Sequence, residues 1–126
     1  RFIMILLLIF GFAWADKHEG DNHHYYKKDF TFLELSDTQK VSLKQILEDY
    51  RTQMRNYKQY ERNQQKQKQD IFLSNNFDAS KIIKVNQDLS TKASTIEGNF
   101  LSKIHKLLNT QQRKKFVNYI DEWEID

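Results

Sequence analysis

Between Phe77 and Gln112 the apolar residues recur at helical spacing, with Ile82, Val85, Leu89, Ala93, Ile96, Phe100, Ile104 and Leu107 on one stripe. This i, i+3, i+4, i+7 pattern, held for about seven turns without a proline, predicts a long helix with one apolar face. Asp78 stands where its N-cap is needed. A second stripe, Leu43, Ile46, Leu47, Tyr50, Met54 and Tyr57, predicts an earlier helix over about residues 37–72. It fades through the polar run 61–70, and Ile71-Phe72-Leu73 restores it. The fading leaves room for a bend or break near Lys58 to Asn63. A polar arm of this length cannot bury itself, so it is expected to project into solvent or to meet another chain. Ser74-Asn75-Asn76 ends the first helix, with an Asn suited to a left-handed cap. A last helix, from Thr110 to about Glu124, is predicted to bury Phe116, Ile120 and Trp123.

One short pattern occurs twice, each time ahead of an apolar-periodic segment. The first copy is Leu35-Ser36-Asp37-Thr38-Gln39 and the second is Leu108-Asn109-Thr110-Gln111-Gln112. Ser36 and Asn109 each suit an N-cap, and Gln39 and Gln112, three residues on, can reach back to the cap's own amide.

Charge adds order to the first helix. At 100° per residue, Lys44, Arg51, Arg55, Lys58, Arg62 and Lys66 fall within about 80° of one another, directly beside the apolar stripe. One reading is a solvated face with its aliphatic stems laid on the protein. The other is a surface joining cationic and apolar character, suited to unfolded chains or acidic partners. On the second helix, Thr91, Ser94, Thr95, Gly98 and Ser102 lie opposite the apolar stripe and are expected to face water. Arg113, Lys114 and Lys115 fall in the first turn of the last helix, where the helix dipole disfavours cations. They call for solvent or an acidic partner.

With 126 residues there is room for one domain, and the absence of Pro, with only three Gly, favours long helices. Cys is absent, which excludes disulfides and thiol chemistry. Phe2 to Ala15 is an apolar run behind Arg1, ending in Ala13-Trp14-Ala15 and turning polar at Asp16. It is short for a membrane span and has a small-x-small cleavage pattern, so it reads as a secretory signal peptide over residues 1–15. An uncleaved anchor or an amphipathic N-terminal helix is the other reading. Cleavage removes one Arg and no acid, so the mature chain carries one positive charge fewer than the +3 of the whole sequence. That is too little to argue for nucleic acid. Residues 16–29 have no period and are expected to form a flexible, His-rich tail. Phe30, Phe32, Leu33 and Leu35 follow and are expected to lie against the helices.

No catalytic constellation is present: no glycine-rich phosphate loop, no nucleophile elbow, no HExxH. His105, the only His in the helical body, is expected to be packed or half-exposed at the edge of the apolar face. The sequence reads as that of a non-enzyme.

The doubled motif, on an all-helical chain behind an export signal, resembles the Spy/CpxP family, whose signature is a repeated Leu-Thr-x-x-Gln. The likeness covers about residues 30–124 of a helical domain placed at 30–126, with Ser36 and Asn109 in place of the motif Thr. The resemblance implies an all-α fold, a long helical hairpin plus a C-terminal helix, pairing antiparallel into a cradle-shaped homodimer. It implies a periplasmic, ATP-independent chaperone of the envelope-stress response in a Gram-negative bacterium. Its clients would be unfolded periplasmic proteins, with no membrane span left after signal cleavage. Tyr50, Arg51, Met54, Arg55, Tyr57, Lys58 and Arg62 are the expected client contacts, the cations speeding encounter and the others giving adaptable apolar contact. Part of that stripe has to be core.

Two alternatives follow from relatives: a CpxP-like modulator of a sensor kinase, and a metal-binding stress protein similar to ZraP or CnrX. In the nickel- and cobalt-sensing members a His and a Met stand one turn apart before the second motif. Here Phe100 and Ile104 occupy those places, which argues against that metal site. The tail offers another. After cleavage the chain begins Asp16-Lys17-His18, and the α-amine, two amide nitrogens and the imidazole supply a square-planar set for Cu²⁺ or Ni²⁺. His23 and His24 add a weaker second site, and Zn²⁺ is a third candidate. No cofactor is required for the chaperone reading.

Overall fold

The computed structural model describes residues 30–123 and 125. The expected signal peptide and His-rich tail, with Asp16, Lys17, His18, His23 and His24, lie outside them. A short 3₁₀ turn, Thr31–Leu33, leads into α1 (Asp37–Leu73), α2 (Ala79–Leu107) and α3 (Thr110–Phe116), and a 3₁₀ segment, Val117–Trp123, closes the chain. Among the described residues there is no strand, and no helix is long and apolar enough to cross a membrane.

α1 is helical without interruption, so there is no break near Lys58 to Asn63. The polar run is built largely from Gln, Lys, Arg and Glu, which are good helix formers, and it lacks Gly and Pro. Side chains one turn apart also bind each other there. Lys58 meets Glu61 at 3.2 Å, Arg62 donates to Gln59 at 2.8 Å, and Gln59 donates to Asn63 at 3.3 Å.

The two long helices pack side by side in opposite directions. Lys103 reaches Asp49 at 3.2 Å near one end, and the Tyr60 hydroxyl donates to Asp88 further along. The buried residues of α1, Leu43, Tyr50 and Tyr57, are spaced by seven, the interval of helices packed along a seam. Opposite them, α2 buries Val85, Ala93, Phe100 and Ile104 from its predicted stripe.

The main core lies at the end where the chain enters and leaves. Leu33, Leu43, Tyr50, Phe100, Ile104, Leu108, Phe116 and Trp123 form one cluster. Aromatic rings knit it together. Phe100 lies 4.5 Å from Tyr50 and 4.6 Å from Trp123, centroid to centroid, and Phe30 stacks on Trp123 at 5.6 Å. Such offset and tilted pairs add to the burial energy of the rings. As expected, Phe30, Phe32 and Leu35 pack against this cluster.

The last element departs from expectation. The α-helix stops at Phe116 and continues as a 3₁₀ segment to Trp123. Ile120 is 37% exposed, while Phe116 and Trp123 are buried as foreseen.

Candidate functional site

Both copies of the repeated motif form complete capping boxes. Ser36 Oγ accepts from Gln39 N at 3.2 Å, and Gln39 Oε1 accepts from Ser36 N at 3.0 Å. Asn109 Oδ1 accepts from Gln112 N at 2.9 Å, and Gln112 Oε1 accepts from Asn109 N at 3.0 Å. Asp78 caps α2 through Ser80 N at 2.9 Å. The bonds from Ser80 hold its carboxyl below the usual range, with Lys81 and Lys84 nearby adding to the effect.

The two boxes are also joined to each other. Gln39 Nε2 donates to Gln112 Oε1 and to Leu107 O, at 2.8 and 2.9 Å. Gln112 Nε2 returns a bond to Gln39 Oε1 at 3.0 Å. Gln39 thereby uses both amide hydrogens and both lone pairs of its oxygen. The motif leucines anchor the clasp from below, with Leu108 inside the core cluster and Leu35 packed against it. Within each motif the leucine packs, the Ser or Asn caps, and the second-box Gln links one helix start to the other.

Two cations of the last helix, Lys115 and Arg113, find partners. Lys115 bonds Glu34 at 2.8 Å, and this hydrogen bond, with the ammonium's charge, lowers the Glu34 carboxyl below its ordinary value. Arg113 Nε donates to His105 O at 3.0 Å, close to the C-terminus of α2, where the dipole favours a cation. His105 itself is exposed.

The expected client contacts separate into two groups. Tyr50 and Tyr57 are core residues, 3% and 6% exposed, so neither ring is open to a client in this fold. Both sit on the seam between α1 and α2, where a large ring excludes water from both helices. Burial raises the Tyr57 phenol, Glu61 adding to the rise and Lys58 opposing it. Arg55 and Arg62 are exposed, while Arg51, Met54 and Lys58 are half-buried. Arg55 rests on Thr52 at 3.1 Å. The small residues Thr91, Ser94, Thr95, Gly98 and Ser102 are all exposed, and a Cβ added at Gly98 would meet nothing within 4 Å.

Two grooves emerge that residue patterns alone do not locate. The first, about 470 Å³, brings Leu35, Leu43 and Leu47 together with Lys40, Lys44 and Arg51. Its signal in the sequence is the adjacency of the apolar and basic stripes on α1. The second, about 480 Å³, lies among Leu101, Leu108, Phe116, Val117 and Ile120, with His105 at its edge. It needs the turn from α2 into α3, so no single periodic stripe reveals it. Phe100 and Ile104 are both core. Among the described residues no three His, Asp or Glu converge as a metal site.

No family model, no curated protein and no solved structure was found to match this chain.

Proposed function

We propose that this protein is an ATP-independent chaperone of Spy/CpxP type, exported to the periplasm of a Gram-negative bacterium. It works there as a homodimer of helical hairpins that holds unfolded or aggregation-prone chains. The observation that carries this reading is the first groove, where leucines of α1 share one surface with Lys40, Lys44 and Arg51. Unfolded chains expose apolar side chains with acids among them. A groove offering both kinds of contact binds many such segments without reading a sequence. Exposed cations raise the encounter rate, and apolar contact sets how long the complex lasts. The clasped motif supports the same reading, because it makes the repeated pattern a single unit that fixes the ends of the hairpin. Arg55, Lys58 and Arg62 continue the cationic edge along the arm, and Met54 is the adaptable contact beside them.

The test is aggregation of a denatured client, followed by light scattering at equimolar protein and without nucleotide. The expected result is suppression, weakened by Lys44→Glu with Leu47→Ser while helix content is kept. Undiminished aggregation with the folded wild-type protein would exclude the chaperone reading.

A further inference from the structure

The end of the molecule far from the core carries an apolar point. Phe72 and Leu73 close α1 and Phe77 precedes α2, and they are 74%, 78% and 53% exposed. The two phenyl rings meet edge to face, with centroids 5.8 Å apart, and so form one projecting unit. Lysines flank it in the sequence. Residues 66–84 hold Lys66, Lys68, Lys81 and Lys84 against two acids, Asp70 and Asp78. Lys81 and Lys84 lie close enough to Asp78 to lower its carboxyl. They also stand in the first turns of α2, where the helix dipole disfavours cations. Asp70 and Asp78 balance two of the four lysine charges, and an anion outside the chain can balance the rest.

We propose that this tip inserts into the surface of an anionic lipid bilayer. Phe72, Leu73 and Phe77 enter the boundary between headgroups and acyl chains, about 5–10 Å deep, a reach that suits single side chains. The lysines stay at headgroup level and meet the phosphates. Tip-to-tip pairing of two copies suits it less well. The accessible surface of the three side chains is on the order of 400 Å², so two apposed tips bury at most about 800 Å². Stable protein interfaces start at about 1,200 Å². A convex point has no such minimum when it enters a fluid layer. The arm then holds the clasped end, with its grooves, away from the bilayer.

The chain has no Cys, so a single Asn75→Cys labels the tip alone. Asn75 is exposed, and its replacement leaves the three apolar side chains in place. The full-length protein, carrying an environment-sensitive fluorophore at that position, is titrated with phosphatidylcholine vesicles containing or lacking phosphatidylglycerol. The expected result is a blue shift only with phosphatidylglycerol, quenched by spin-labelled acyl chains and reduced by salt. The added changes Phe72→Ser, Leu73→Ser and Phe77→Ser should weaken the response tenfold or more. A tenfold loss corresponds to about 1.4 kcal/mol. These positions are exposed, so circular dichroism should be unchanged. Vesicle attachment through residues 1–15 does not move a probe at the tip. An unshifted probe, an equal response to neutral vesicles, or a response to unlabelled protein or an unfolded client without lipid overturns the proposal.

Discussion

Gln39 and Gln112 stand 73 residues apart and hold each other through both halves of their amides, at 2.8 and 3.0 Å. Each also caps its own helix. The start of α1 and the start of α3 are therefore one hydrogen-bonded structure, and neither box can loosen without disturbing the other. Gln112 is only 7% exposed, so its amide cannot exchange these bonds for water freely. Removing Gln39 strands it. Gln39→Ala and Gln112→Ala should each cost about 1–3 kcal/mol, the penalty for a buried polar group left without its partner. The double variant should lose less than the sum, because the second change removes the stranded group. Urea denaturation of the four proteins of the cycle checks this. Strict additivity would show that the two amides act independently.

The caps themselves predict a smaller effect. Ser36→Ala and Asn109→Ala each expose an amide at a helix start, at a cost of about 0.5–2 kcal/mol. Substitution by Gly should cost only a few tenths of a kcal/mol. An unmoved denaturation midpoint in both Ala variants would mean that the motif does not act through capping.

The capping boxes are readable in the sequence because each is local: cap and partner stand three residues apart. The apolar stripe of α2 is readable for the same reason, since burial at Val85, Ala93, Phe100 and Ile104 follows one helical period. The link between Gln39 and Gln112 is not readable, because no periodicity relates two polar side chains on separate helices. The burial of Tyr50 and Tyr57 is hidden for a related reason. A stripe shows which face is apolar, but not which part of it another helix covers. The 3₁₀ winding after Phe116 is not readable either, because the spacing of Phe116, Ile120 and Trp123 suits an α-helix.

Trp123 predicts how much the last segment contributes. It is 2% exposed and touches Phe30, Tyr50 and Phe100. It therefore ties the chain's entry and exit to both long helices. Trp123→Ala should cost about 3–5 kcal/mol, through lost transfer energy and the cavity left behind. Trp123→Phe should recover part of it. Thermal unfolding followed by circular dichroism reads both. A midpoint shift of less than about a degree in the Ala variant would contradict this packing.

Glu34 predicts a pH dependence of defined sign. Its hydrogen bond to Lys115, with the ammonium's charge, holds the folded carboxyl below its ordinary value of 4.5. The folded state thus binds this proton less readily than the unfolded state does. The stabilisation is present above the unfolded value and is lost as pH falls through the folded one. Between about pH 6 and about pH 3, the wild-type midpoint should fall further than that of Glu34→Gln. Glu34 also has a left-handed backbone, φ 51°, which favours glycine. At high salt, where the exposed pair is screened, Glu34→Gly should raise the midpoint. Equal acid sensitivity in wild type and Glu34→Gln would show that the pair has no effect on folding.

The cationic edge of α1 predicts a kinetic signature. Arg55, Lys58 and Arg62 make short-range contacts on their own helix, with Thr52, Glu61 and Gln59. Surface pairs of this kind contribute little to folding, typically about 0–1 kcal/mol. Reversing all three to Glu should therefore leave the helix content intact. What changes is the field met by an approaching acidic client. Encounter is steered by such fields and resisted by like charge, so the association rate should fall while the dissociation rate changes less. The difference between wild type and variant should shrink as salt rises, because exposed charges are screened beyond about 10 Å at 0.1 M ionic strength. Stopped-flow capture of a labelled, denatured client at two salt concentrations measures both rates. An unchanged association rate at low salt would make this edge only a solvated face. A change confined to dissociation would mean that the cations hold the client instead of drawing it in.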